Sequence, residues 1–393
     1  MKQKIIYLLT VVLCVLLLVM GRRFATANPT VENTGIVTVA EKVKVTAVVD
    51  PEYEKTVFSE DWEMRGESIV LFEGEFMEGY KKGKRELMVQ RVDDLYAVEM
   101  RPVSQGDKIA VYRNPDDQID VNYMFAEYNR VTILWWLVAA FMFLLLLFGR
   151  GKGVSTIISL VLTVAAIFVV FVPAVLSYGN IYLWSLMTCV YIIFMTLLIV
   201  NGYTKKSLAA IIGCLGGVAV TGILVKFCDL FLHTTGLVDE DALYLMMLNP
   251  ENPLDIKAVV FAAIIIGAVG AVMDVAMDIS SALAEIKSQV PDISRTQIIK
   301  SGFTIGRDII GTMSNTLILA YIGSSLSCTL LMVAGNPSLL LLFNTEMIVV
   351  ELLQTIAGSF GMLLTIPLTS IVCGVLYGGN PESENKKVYR DMA

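Results

Sequence analysis

The chain has 393 residues, 55% of them hydrophobic and 17% charged, which excludes an ordinary soluble domain. Its formal charge of −7 is mixed in sign and holds no basic block, so nucleic acid is excluded as a partner. Several apolar runs reach the roughly 20 residues that a helix needs to cross a bilayer.

In chain order, Lys2 and Lys4 precede an apolar run from Ile5 to Met20, followed by Arg22 and Arg23. Ala25-Thr-Ala27 fits a signal-peptide cleavage pattern, but residues 1–23 read better as an uncleaved anchor. Residues 24–130 are polar and rich in alternation. Gly35–Val49, Ser68–Phe76, Glu86–Val92 and Lys108–Arg113 read as strands. Strands this short and this close together predict a small extracytoplasmic barrel or sandwich. The cluster Lys81, Lys82, Lys84 and Arg85, beside Gly79 and Gly83, reads as a solvated hairpin tip.

Seven more apolar spans follow: Val131–Phe148, Val154–Leu176, Tyr182–Val200, Leu208–Phe227, Ala258–Met277, Ile309–Val333 and Met347–Leu376. The expected fold is an α-helical integral membrane protein of about eight transmembrane helices. Its parts are the anchor, the exported β-rich domain, a seven-helix domain over 131–379 and a tail over 380–393. Short-loop Lys and Arg decide orientation. Arg150, Lys152, Lys205, Lys206, Lys287, Arg295, Lys300, Arg307, Lys386, Lys387 and Arg390 all fall on alternate connections. Both termini are therefore expected in the cytoplasm. The outer connection 229–255 contains an amphipathic helix over Asp241–Leu248. The inner connection 280–306 is helical, broken at Pro291, and restarts at a capping box, Ser294-x-x-Gln297.

Two helices carry polar stripes. On the sixth span, Gly267, Gly270, Ala271, Asp274, Asp278, Ser281 and Glu285 recur three or four residues apart, which places them on one face. Carboxylates in such a helix are costly and must face protein or water. At 1.5 Å per residue, Asp274 and Asp278 lie about 24 and 30 Å along the span, near the inner leaflet. On the seventh span, Thr304, Asp308, Thr312 and Asn315 share a face, and Arg307 enters at the same boundary. A pairing of Arg307 with Asp274 or Asp278 is expected, either as an ion-pair latch or within a proton or cation path. Glu346 reads as a first-turn anion. Glu351 aligns with Gln354, Thr355, Gly358 and Gly361 in a second stripe. On the fifth span Ala209, Gly213, Gly217 and Thr221 form a small-residue row, whose expected partner is the Gly267/Ala271 face. Gly270 joins that packing group. Asp229 and His233 are expected to pair at the outer surface.

Other chemistry finds no support. One histidine, His233, leaves no multi-His metal site. The six cysteines lie within or at the ends of apolar runs, without zinc or disulfide spacing. No phosphate-binding glycine loop or Gly-x-Ser-x-Gly elbow occurs. No catalytic residue, cofactor or metal is expected.

The runs Gly267–Asp278 and Gly306–Gly323, with the segment from Glu346 to Pro367-Leu-Thr, resemble the YibE/F family of bacterial multi-pass membrane proteins. The resemblance covers roughly Val131–Gly379 and implies a bacterial plasma-membrane protein. It implies no reaction. The functional expectation is a secondary permease or transport-related protein acting on an unknown small solute or ion. In it, Asp274, Asp278, Arg307, Asp308 and Asn315 would respond to ions or protons, and Glu351 and Thr312 would assist. The alternative is a non-transporting scaffold or assembly factor whose exported domain binds a partner protein; the partners expected are the lipid bilayer and either a partner protein or a second copy in a homo-oligomer.

Overall fold

The computed structural model describes residues 2–26, 40–49, 67–93, 101–113, 121–247, 249–335 and 338–378. The predicted tail over 380–393 and the first part of the predicted strand over 35–49 lie outside them. The chain forms two compact units, residues 33–144 and residues 1–32 with 145–393.

The smaller unit is a closed five-stranded barrel. Its strands are β1 (Glu41–Val48), β2 (Glu67–Phe76), β3 (Arg85–Asp93), β4 (Lys108–Arg113) and β5 (Tyr123–Tyr128). Around the barrel they run β1-β2-β3-β5-β4, antiparallel except for a parallel β3–β5 pair. That is the strand order of the OB-fold, a small Greek-key barrel. Alternation fixes the register: Val43 and Val45 point inward with Phe72, Phe76, Met88, Ile109 and Val111. Gly74 lets β1 and β2 close on each other, since a methyl there would overlap Val43 and Met88. Four strands were legible from alternation. The fifth, Tyr-Met-Phe-Ala-Glu-Tyr, was not, because its apolar residues stand side by side. The hairpin tip differs from the solvated one predicted. Lys82 and Lys84 are exposed, but Lys81 folds back over the Phe76 and Tyr123 rings, bonds the Tyr123 hydroxyl and lies 3.8 Å from Glu41.

The larger unit is helical. It contains α1 (Lys2–Ala25) and most of α2 (Val131–Ala165), which continues through a π-helical turn (Ala166–Phe171) into α3 (Val172–Leu176). Pro173 offers no N–H to the turn before it, and the ladder widens there. Next come α4 (Ile181–Asn201), α5 (Lys205–Leu232), α6 (Glu240–Met247), α7 (Ile256–Gln289), α8 (Arg295–Ser324), α9 (Leu326–Gly335), α10 (Leu339–Asn344) and α11 (Glu346–Tyr377). Six stretches are long and apolar enough to cross a membrane: those of α1, α2–α3, α4, α5, α7 and α11. Helices α8 and α9 add a seventh if they count as one broken span. The α2–α3 stretch is 46 residues long and breaks at Arg150, whose φ is 48°. The bend is sharp enough to bring the backbones of Gly153 and Leu145 together.

Helix boundaries follow local chemistry. Thr204 caps α5, Asp255 caps α7, and Ser294 with Gln297 forms the predicted capping box of α8. Pro291 ends α7 as expected. The predicted span 309–333 is not one straight helix: the chain turns by 71° between α8 and α9. Ser324 and Ser325 donate their hydroxyls to the Tyr321 carbonyl at 2.8 and 3.0 Å, which competes with the helix ladder.

Helix α11 packs against α5, α7 and α8. Along α5 the contact is close because Cβ atoms are missing. A methyl on Gly213 would overlap Thr369, one on Gly217 would overlap Thr365, and one on Gly361 would overlap Thr221. Gly302 and Gly306 of α8 meet Ser370 and Ile366 of α11 in the same way. The α5 glycine row therefore faces α11, not the Gly267/Ala271 face of α7. Small side chains on one helix match threonines on the other, and glycine spacing alone does not say which helix that is.

Candidate functional site

The polar stripe of α7 starts at Gly267. A methyl on Gly267 would stand 2.9 Å from the Tyr321 hydroxyl of α8 and 3.5 Å from Gln354 Nε2 of α11. Tyr321 and Gln354 thus meet at this glycine, and Glu351 lies three residues before Gln354 on α11. Glu351 is half-buried, so the second predicted stripe lies at a three-helix junction.

The Gly267–Tyr321 contact sets the register of the two antiparallel helices. Counting 1.5 Å per residue from it, Asp274 and Asp278 lie about 10 and 17 Å along α7, and Arg307 lies about 21 Å along α8. Arg307 is therefore slightly deeper than Asp278, and no ion pair joins it to either aspartate among the described residues. The expected pairing is absent because both sides face outward: Asp274, Asp278 and Arg307 are all exposed in the single chain. Val272, Val275, Ala276 and Ile279 take the inward positions of α7. The inward positions of α8 go to Gly302 and Gly306.

The predicted face of α8 is open as well. Asp308, Thr312 and Asn315 are exposed. The Thr312 hydroxyl is used within its own helix, donating to the Ile309 carbonyl at 3.0 Å. Gly270 and Gly311 have nothing within 4 Å of where a Cβ would stand. Gly270 is thus a gap in an open face and does not pack. Of the glycines predicted to pack, Gly213, Gly217 and Gly267 do.

At the other end of α7, the structure shows contacts that sequence did not. Glu346, at the first turn of α11, accepts hydrogen bonds from the backbone N–H groups of Thr235 and Gly236, each at 2.5 Å, and from Thr235 Oγ1 at 2.8 Å. It clamps the α5–α6 loop instead of facing water. Gly236, at φ 88°, gives that loop the turn that aims its N–H groups at one carboxylate. Asp229 accepts from Thr234 Oγ1 at 3.0 Å, and His233 Nδ1 meets the Phe231 carbonyl at 2.9 Å, so the expected Asp229–His233 pair does not form. Lys226 lies 3.6 Å from the Tyr182 ring centre and 5.7 Å from that of Phe261. A lysine near the end of an apolar run was the one signal for it. Among the described residues no group of His, Cys, Asp and Glu is arranged to hold a metal.

Long apolar helices packed through glycine rows, with one face bearing carboxylates, define a multi-pass membrane protein. Residues 137–379 match the family described as YibE/F-like protein, and the chain belongs to that family. Neither a curated protein nor a solved structure matches it.

Proposed function

We propose that the protein is a secondary permease of the bacterial plasma membrane, moving a small solute or ion with proton or cation coupling. In this reading eight helices span the membrane, with α2 counted as two at its Arg150 break and α8–α9 as one. Both termini are cytoplasmic, and the barrel is outside. One observation carries the reading: the open face of α7 and α8. It presents Asp274, Asp278, Asp308 and Asn315, and the Tyr321–Gln354–Glu351 junction adjoins it about 10 Å further along. Carboxylates on a membrane helix cannot rest against lipid, so this face borders water or protein. Two carboxylates one turn apart repel each other, and holding a proton or a cation between them relieves the repulsion. The test is ion flux in proteoliposomes, driven by a potassium diffusion potential. Asp274→Asn and Asp278→Asn abolish wild-type flux if the reading is right. Undiminished flux at equal incorporation sinks it.

A second reading rests on the same exposure. An open polar face with unfilled space at Gly270 and Gly311 also suits a helix of another protein or a second copy of this chain. The protein is then a scaffold, and the OB-type barrel is its binding module by fold analogy alone. In that case the aspartate variants lower abundance or assembly, and no flux is seen in the wild type.

A further inference from the structure

Asp278 and Glu285 of α7 stand seven residues apart, and so do Lys300 and Arg307 of α8. Seven residues make about two helical turns, so each pair keeps to one side of its helix. All four side chains are exposed in the single chain, and no ion pair joins any of them to another described residue. We propose that this end of the open face is an interface with a second copy of the chain, in which Asp278 of each copy meets Arg307 of the other. The inference goes beyond both readings above and stands whether or not ions move along the face.

Level comes first. The Gly267–Tyr321 contact aligns the two helices. Counted from it at 1.5 Å per residue, Asp278, Arg307, Glu285 and Lys300 come at about 17, 21, 27 and 32 Å. Acid and base alternate, and each cation falls near the level of a carboxylate on the other helix. Within one chain the two rows look outward side by side and stay apart. They match in level and sign, and they lack only a surface that brings them face to face.

Symmetry supplies that surface. A two-fold axis between copies inserted in the same sense runs along the membrane normal, so residues of equal level meet. An axis in front of α7 would set Asp274 and Asp278 against their own copies, and like charges opposed in this way are costly. An axis between α7 and α8 sets α7 of one copy against α8 of the other. Each Asp278 then has a guanidinium and each Arg307 a carboxylate, and the pair forms twice. Asp308 stands about 100° round α8 from Arg307, with Thr312 and Asn315, and so lies outside the basic row.

Other occupants fit less well. Residues 131–148, the apolar half of α2, have no charged side chain to offer the rows. Residues 379–393 carry both signs, and the chain leaves α11 at Gly378 beside Arg295. That segment is the competitor, and it enters the test.

The test is subunit counting by single-molecule photobleaching of the dye-labelled full chain in liposomes at low density. The wild type is mostly dimeric. Each charge reversal is felt twice in a symmetric dimer, so Arg307→Asp and Asp278→Arg each lower association about a hundredfold. Arg307→Gln removes charge without adding repulsion and lowers it about tenfold. Mixed in equal amounts, the two reversed chains pair again, because every contact then joins an arginine to an aspartate. That recovery also shows that both chains are folded. A chain ending at Gly378 dimerises like the wild type. A monomeric wild type overturns the proposal and leaves the face to another protein. So does a dimer that Arg307→Gln leaves unchanged, a mixture that pairs no better than either reversed chain alone, or a dimer lost with residues 379–393.

Discussion

The seam between α5 and α11 and the open face of α7 and α8 carry the same sequence signal. Both are rows of glycine and small polar residues at helical spacing. In the seam, Gly213, Gly217 and Gly361 are filled by Thr369, Thr365 and Thr221. On the open face, Gly270 and Gly311 meet nothing within 4 Å. What separates the two rows is the neighbour. The seam's glycines face hydroxyls that return their hydrogen bonds to their own helices, Thr221 to the Gly217 carbonyl at 3.0 Å and Thr365 to the Gly361 carbonyl at 2.7 Å. At those two contacts no hydroxyl is left over and the backbones can touch, whereas Thr369 Oγ1, over Gly213, is buried with no hydrogen-bond partner among the described residues. The open face holds carboxylates, which no apolar neighbour would cover.

Substitutions separate the two rows. The largest effect is expected for Gly217→Leu, whose side chain would need the space of Thr365 and of the Gly361 carbonyl. Overpacking of this kind costs about 3 kcal/mol, read as a lower apparent Tm of the detergent-solubilised protein. At the end of the seam, Glu346→Ala removes the clamp and strands two N–H donors. The loop is partly exposed, so the expected loss is about 1–2 kcal/mol, with faster hydrogen exchange at Gly236. Thr369→Val is expected to stabilise by about 1 kcal/mol, because Thr369 Oγ1 is buried with no hydrogen-bond partner among the described residues. The smallest change is expected for Gly270→Ala, a gain of about 0.5–1 kcal/mol from helix propensity alone. A loss at Gly270 instead would show that protein covers the open face.

Much of the fold was legible in the sequence. Apolar length marked the spans, alternation marked four strands, and Ser294-x-x-Gln297 marked the start of α8. These signals act within a few residues of themselves. The partner of the α5 row was not legible, because α7 and α11 both offer small residues and only the packed bundle chooses between them. The 71° turn after Ser324 was hidden inside an apolar run, where hydropathy is blind to two serines competing for one carbonyl. Among the candidate residues, sequence placed Asp274, Asp278, Asp308 and Asn315 on shared faces, and the structure keeps those faces. It could not say that the faces look outward, since periodicity groups side chains without telling inside from outside. Glu346 was visible as a helix-start anion, but its three donors lie in a loop 110 and 111 residues earlier.

That separation also sets an order of events during synthesis. The Thr235 and Gly236 amides are made long before the carboxylate that binds them. Until α11 is in place, the α5–α6 loop lacks its anchor, and its amide protons exchange with solvent. The clamp closes only once α11 is in place, so protection at those two amides reports that α11 has been inserted. A chain truncated before Glu346 would leave them exchanging freely, however well the earlier helices had assembled.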